Sequence, residues 1–210
     1  MTIDSRRSPP GHQAHRTGPS RAARWASDAV AVRVARWASL SPVAWLNGRG
    51  VTRQVEAGEG WRVSIADVTE SGAFSTFPDT DRLITLLAGP PLVLLTDGRE
   101  LALGPLRPVA FNGEAPTPSL HENSTVPTRV LNVMIRRGGP SSRVDIRSTG
   151  RIAAEDEVVV VVVVSGSASL RDGPTLDMFD TVLLSESSLV DIEGTGQLAV
   201  VHVTPSLGNR

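Results

Sequence analysis

At 210 residues, with 40% hydrophobic residues and a formal net charge of -1, the chain has enough material for a proper core in one or two small domains and lacks the basic excess of a nucleic-acid surface. It holds no Cys, which removes disulfides, thiolate nucleophiles and Cys-based zinc sites, and all 21 basic residues are Arg, which removes a Schiff-base or P-loop lysine. Tyr is absent, and 4 Trp with 4 Phe leave little for stacking bases.

Residues 1–29 read as a separate tail. Met1 to Arg24 carries Arg6, Arg7, Arg16, Arg21 and Arg24 against Asp4, interrupted by Pro9, Pro10, Gly11, Gly18 and Pro19. Such a segment cannot bury enough apolar surface to offset its ordering entropy, so a disordered Arg/Pro-rich tail is predicted. No apolar h-region follows Arg6-Arg7, so no export signal is read and a cytoplasmic location is expected. Without the tail's arginines the remainder is mildly acidic, which argues against a nucleic-acid partner.

Beyond the tail, strands are predicted at Val32 to Trp37, Val51 to Ala57, Trp61 to Val68, Leu83 to Ala88, Leu92 to Thr96, Arg99 to Leu103, Val130 to Arg136, Val144 to Ser148, Val158 to Val164, Ala168 to Leu170, Thr181 to Leu184, Leu189 to Ile192 and Gln197 to Thr204. Turns such as Thr96-Asp97-Gly98 and Arg171-Asp172-Gly173 supply hairpin chemistry, and no stretch shows a helical stripe. The seven valines Val158–Val164 are too few to cross a bilayer; β-branched residues without a polar side predict a strand buried on both faces, with Glu155-Asp156-Glu157 as gatekeepers.

A pattern recurs. Leu86-Leu87-Ala88-Gly89, a strand, Asp97-Gly98 and another strand match Val163-Val164-Ser165-Gly166, a strand, Asp172-Gly173 and the strand at Thr181 to Leu184. The expected fold is all-β and bicupin-like, two jelly-roll or β-barrel modules in one chain, residues 30–138 with the lead-in strands and residues 139–210.

Candidate site residues follow from polar groups set on strands. Trp61, Val63 and Ile65 share one face and Arg62 and Ser64 the other, which either meets water or forms a site in which Arg62 grips a carboxylate and Ser64 donates a hydroxyl hydrogen bond. Asn47, beside a Gly-rich turn, lines a pocket or caps the turn. Asp81 and Arg82 open an apolar run and read as a structural ion pair closing a loop at the site. Asn132 is an amide within the apolar strand Val130 to Ile135 and must find backbone or ligand partners.

Five ordered blocks resemble the HutD/Ves family: Pro42-Val43-Ala44-Trp45-Leu46-Asn47-Gly48-Arg49-Gly50-Val51-Thr52-Arg53, Trp61 to Val68, Phe74-Ser75-Thr76-Phe77-Pro78 with Asp81-Arg82, Phe111-Asn112-Gly113-Glu114, and Leu131 to Gly138. The resemblance implies a cupin-like fold and an accessory role in histidine degradation. Two departures stand out: Leu46 replaces the family's Lys with Arg49 interrupting its glycines, and the family's Phe-Asp-Gly-Asp turn is Phe111-Asn112-Gly113-Glu114.

Metal-dependent cupins use clustered His and Glu, whereas this chain has only His12, His15, His121 and His202. His121 reads as a solvated loop residue and His202 as a hydrogen-bonded core histidine on the last strand. No metal, cofactor or nucleophile-and-base arrangement is read. The function expected is binding of a small anionic metabolite, with no membrane partner and with a homodimer left open. The alternatives are a metal-free isomerase or lyase using Glu114 and Asp81 as acids, and an assembly module with a vestigial pocket.

Overall fold

The computed structural model describes residues 32–122, 125–185 and 187–206, so the predicted tail, residues 1–29, lies outside them. In chain order the strands are β1 (Val32–Ala35), β2 (Pro42–Ala44), β3 (Gly50–Gly58), β4 (Trp61–Val68), β5 (Gly72–Phe74), β6 (Thr80–Ala88), β7 (Leu92–Thr96), β8 (Arg99–Leu103), β9 (Val109–Asn112), β10 (Thr117–His121) and β11 (Thr128–Arg136). The C-terminal half adds β12 (Ser141–Ala153), β13 (Val158–Ser165), β14 (Ala168–Leu170), β15 (Thr175–Leu176), β16 (Thr181–Leu184) and β17 (Leu189–Thr204). A short 3-10 turn, Trp37–Ser39, follows β1. Among the described residues no helix is long and apolar enough to cross a membrane.

Three sheets result. One has the order β2-β3-β4-β11-β6-β9, a second β5-β10-β7-β8, and the third β1-β16-β13-β17-β14-β15 with β12 also on β17. Alternation along the strands decides how they stack. On β4, Trp61, Val63 and Ile65 join Leu131 and Val133 of β11 against Val160, Val162 and Val164 of β13 and Ala199, Val201 and Val203 of β17. The opposite faces of β4, β6 and β11 send Ala66, Val68, Ile84, Leu86 and Val130 towards Phe74, Leu92 and Leu94 of the four-stranded sheet. Both faces of β4 are thus internal.

The valine run forms β13 and is buried on both faces: Val160, Val162 and Val164 enter the core between the halves, while Val159, Val161 and Val163 enter the aliphatic core of the C-terminal half. One element of the recurring sequence pattern is a glycine after its first strand. Both copies turn at a glycine with positive φ after their first strand, Gly89 at +93° and Gly166 at +75°, a backbone state that a side chain would strain.

The structure corrects several expectations. The lead-in strand β1, grouped by sequence with residues 30–138, pairs antiparallel with β16 and so completes the sheet of the C-terminal half. The separate strands at Leu189 and Gln197 are one long strand, β17. His121 is not a solvated loop residue; it ends β10 and is 8% exposed. His202 does lie on the last strand and is hydrogen-bonded, its Nδ1 2.6 Å from Glu157 Oε1.

A polar seam ties the halves together beside the 3-10 turn. The Arg53 and Arg129 guanidinium groups each lie 4.4 Å from the Trp37 ring, Arg129 also lies 4.3 Å from Phe179, and Asp67 accepts from both arginines. Across the seam, buried Asp180 accepts the Trp37 amide at 2.8 Å, the Asp177 amide at 2.9 Å and Arg36 at 2.6 Å. Burial alone would raise the Asp180 pKa, but these three donors outweigh it and hold the carboxyl below its ordinary value. A carboxylate with a depressed folded-state pKa stabilises fully above its unfolded pKa and loses that contribution as pH falls through the folded value. Asp180→Asn should therefore lower stability by about 1.5 kcal/mol near neutral pH and flatten the fall in melting temperature below about pH 5. Thermal melts of both proteins across that range check this, and parallel pH curves would count against it.

Candidate functional site

The register of the six-stranded sheet builds the site. Met134 of β11 lies opposite Arg62 of β4 and Arg82 of β6, and in the next inward-facing row Asn132 lies opposite Ser64 and Ile84. Because alternate residues share a face, Arg62, Ser64, Arg82 and Asn132 all point between the six-stranded and four-stranded sheets. There they line a cavity of about 60 Å³ together with Trp45, Thr52, Phe74, Ser75 and Phe77. That leaves room for roughly four to six water-sized groups at about 10–15 Å³ each.

Arg82 is the fixed member. It is 7% exposed; its Nε and Nη2 donate to Asn132 Oδ1 at 3.1 and 3.0 Å, and its Nη1 donates to the Ser75 carbonyl at 3.4 Å. Three aromatic rings surround its guanidinium, with centroids 4.8 Å (Phe111), 5.2 Å (Phe74) and 5.7 Å (Phe77) away. Cation–π attraction explains how the charge is tolerated there. Burial, and then the neighbouring Arg62 cation, push the Arg82 pKa down to about 10.

Arg62 is held less well. Its Nη2 donates to the Met134 thioether at 2.8 Å, a weak acceptor, its Nε is buried without a partner, and its guanidinium lies 5.4 Å from the Phe77 ring. The Ser64 hydroxyl beside it is likewise buried and unpartnered. Among the described residues neither arginine has a carboxylate partner, although other arginines of the chain form ion pairs. Two cations and an unpartnered hydroxyl thus line one small cavity, a donor set whose chemistry complements negative charge.

Asn47 and Asp81 are not brought into the cavity. Asn47 caps the β2–β3 hairpin, its Oδ1 accepting the Arg49 amide at 3.1 Å and its Nδ2 donating to the Ala73 carbonyl at 3.3 Å. Asp81 does not pair with Arg82; adjacent strand residues face opposite ways, and Asp81 binds Arg137 Nε at 2.9 Å on the surface. Glu114 also lies outside, pairing with Arg137 at 3.1 Å, and its carboxyl is held below the ordinary range first by the Asp79 amide and then by Arg137. Neither of the two acids proposed for an isomerase or lyase lines the cavity. At the family's Lys position, Leu46 is fully exposed at the hairpin tip, while Arg49 donates to the Ser71 carbonyl at 2.5 Å.

Trp45, Thr52, Phe74, Ser75 and Phe77 stand within the family-like sequence blocks, but sequence reasoning does not name them as site residues. The pair Phe74 and Phe77 beside two inward arginines is the one available signal, since aromatic rings are what a buried guanidinium requires when no acid is supplied. The donor set does not fit the metal centre of a metal-dependent cupin, which uses imidazole and carboxylate. Neither lines the cavity, and no cluster of three His, Asp or Glu able to hold a metal exists among the described residues.

Antiparallel sheets stacked over apolar cores, with one small polar cavity between two of them, give the chain an all-β fold of the cupin-like class. A family model described as HutD matches residues 38–200, and the chain belongs to the HutD family. It is 46% identical over 79 residues to an uncharacterized 21.2 kDa protein in the hutC 3' region of Pseudomonas putida, a match spanning 34% of this chain and 42% of that protein. It is 32% identical over 136 residues to the protein Ves of Escherichia fergusonii, spanning 61% of this chain and 70% of that one. A solved structure of HutD from Pseudomonas fluorescens SBW25, described with a formate condition, superposes with a TM-score of 0.72 at 29% identity, covering 83% of this chain and 99% of that chain.

Proposed function

We propose that this protein binds a small anionic metabolite, an acid of histidine breakdown, and serves that pathway as an accessory or regulatory protein without catalysing a reaction. One observation carries the reading: Arg62 and Arg82 share a cavity in which neither meets a carboxylate, beside the unpartnered Ser64 hydroxyl. The family supplies the pathway, and the Pseudomonas putida relative is itself described by its place beside hutC. Because the cavity is small, a longer acid places only its carboxylate between the arginines. The same reading takes the halves as a bicupin pair, the first holding the pocket and the second filled by side chains such as Val159, Val161, Leu198 and Val200.

Thermal shift with urocanate, formiminoglutamate, formylglutamate and glutamate tests the proposal. A ligand at 100 times its dissociation constant adds about 2.7 kcal/mol, which for a chain of this size raises the melting temperature by roughly 5–10 °C. At least one of the four should do so, and more weakly at high salt. If none does, the assembly reading with a vestigial pocket takes its place.

A further inference from the structure

The turn Asn112-Gly113-Glu114 lies outside the cavity yet braces both of its walls. On one side it passes close to Arg82 and leaves no room for a side chain: a Cβ built on Gly113 would fall 2.6 Å from the Thr80 carbonyl oxygen and 3.2 and 3.3 Å from the Cγ and Cδ of Arg82. On the other side it holds the β5–β6 segment that carries Phe77. The Phe77 amide donates to the Gly113 carbonyl at 2.8 Å, and the Asp79 amide donates to Glu114 Oε1 at 2.5 Å. Asn112 Oδ1 accepts the Glu114 amide at 2.9 Å and Arg137 Nη2 at 2.5 Å, so the turn is itself tied to the end of β11. Phe77, thus held, places its ring 5.4 Å from the Arg62 guanidinium and 5.7 Å from that of Arg82.

We propose that Glu114 is a positioning residue of the pocket: by accepting the Asp79 amide it fixes the Phe77 segment over the two arginines, and so sets how fast a small anion enters and leaves. This rests on the anion-binding reading above and adds to it the control of access. The acid does not line the cavity; besides its surface pair with Arg137 it holds the backbone at Asp79, and it acts on the pocket through that backbone. Replacing it should therefore change rates more than affinity, because the arginines that supply the binding stay in place. Glutamine keeps an oxygen for the Asp79 amide and loses only the charge that meets Arg137.

The test uses the full chain with urocanate and formate as probes, followed by stopped-flow quenching of tryptophan fluorescence, since Trp45 lines the pocket. Glu114→Ala should raise association and dissociation rates together by about tenfold, the scale of one lost charge-assisted hydrogen bond, with the dissociation constant within about twofold. Glu114→Gln should restore rates near those of the unaltered protein. Amide hydrogen exchange supplies a readout that needs no ligand: the Asp79 and Phe77 amides should exchange faster in Glu114→Ala and not in Glu114→Gln. If the unaltered protein binds and Glu114→Ala leaves both rates unchanged, or if the glutamine variant behaves like the alanine variant, the positioning role is overturned and anion binding stands. If the unaltered protein binds neither these probes nor formiminoglutamate, formylglutamate or glutamate, both readings are overturned, whatever the exchange rates.

Discussion

Replacing Arg82 by methionine should make the free protein more stable while removing its response to acids. A guanidinium that is 7% exposed and faces a second cation bears a desolvation penalty, visible in its pKa of about 10. Replacing a buried ion pair by apolar groups of similar volume is often neutral or stabilising by about 1–4 kcal/mol, and Arg82, with no carboxylate among the described residues to offset its desolvation, should gain on that scale. Each kcal/mol corresponds to roughly 2–4 °C in a chain of this length. The Asn132 Oδ1 that accepts two bonds from Arg82 is orphaned by the exchange, so the double variant Arg82→Met/Asn132→Leu should gain more than the single one. Paired melting curves, with and without an acid that shifts the unaltered protein, are the measurement. A clear loss of stability in both variants would show that the aromatic cage and amide contacts outweigh desolvation, and Arg82 would be a structural residue.

Arg62→Ala should weaken binding sharply with little change in the fold. Arg62 spends its donors on a thioether or on nothing, so its removal orphans no protein group. A charge-assisted hydrogen bond to a carboxylate contributes roughly 1.5–3 kcal/mol, so affinity should fall about ten- to a hundredfold, and the stabilisation by the same ligand concentration should shrink from about 2.7 to roughly 0.4–1.4 kcal/mol. Ser64→Ala removes a neutral hydroxyl and should weaken binding less, by about fivefold. Calorimetric titration of the three proteins orders the effects. An Arg62→Ala protein that binds as well as the original would remove that cation from the site and leave Arg82 to act alone.

The strand period made half of this site legible. It placed Arg62 and Ser64 on one face of β4, and the register with β11 then brought Asn132 alongside them. Periodicity could not say whether that face meets water, because that depends on the four-stranded sheet, whose strands lie far along the chain. The misreading of Asp81 with Arg82 has a local cause: sequence neighbours suggest an ion pair, but on a strand they face apart, and only long-range pairing supplies Arg137 as the true partner of Asp81. Strand β10 is disguised by Pro118, which is tolerated because β7 pairs only from Ser119 onward while Pro118 has β5 alone beside it. Phe74 and Phe77 carry no period at all, and their role emerges only once Arg82 is known to be buried. The valine run needed no such context, since an apolar stretch without a polar side has no face to offer water.

That run has a consequence for the indivisibility of the molecule. Val160, Val162 and Val164 complete one core and Val159, Val161 and Val163 another, so a single strand serves as a wall shared by both halves. Cutting the chain at the Gly138-Gly139 linker would leave each fragment with a bare aliphatic sheet face, and the C-terminal fragment would carry the most aggregation-prone segment of the protein uncovered on one side. The two halves should therefore melt in a single transition. An inherited truncation between them would yield no smaller working protein, and any ligand that tightens the first half also protects the valines of the second from meeting a neighbour.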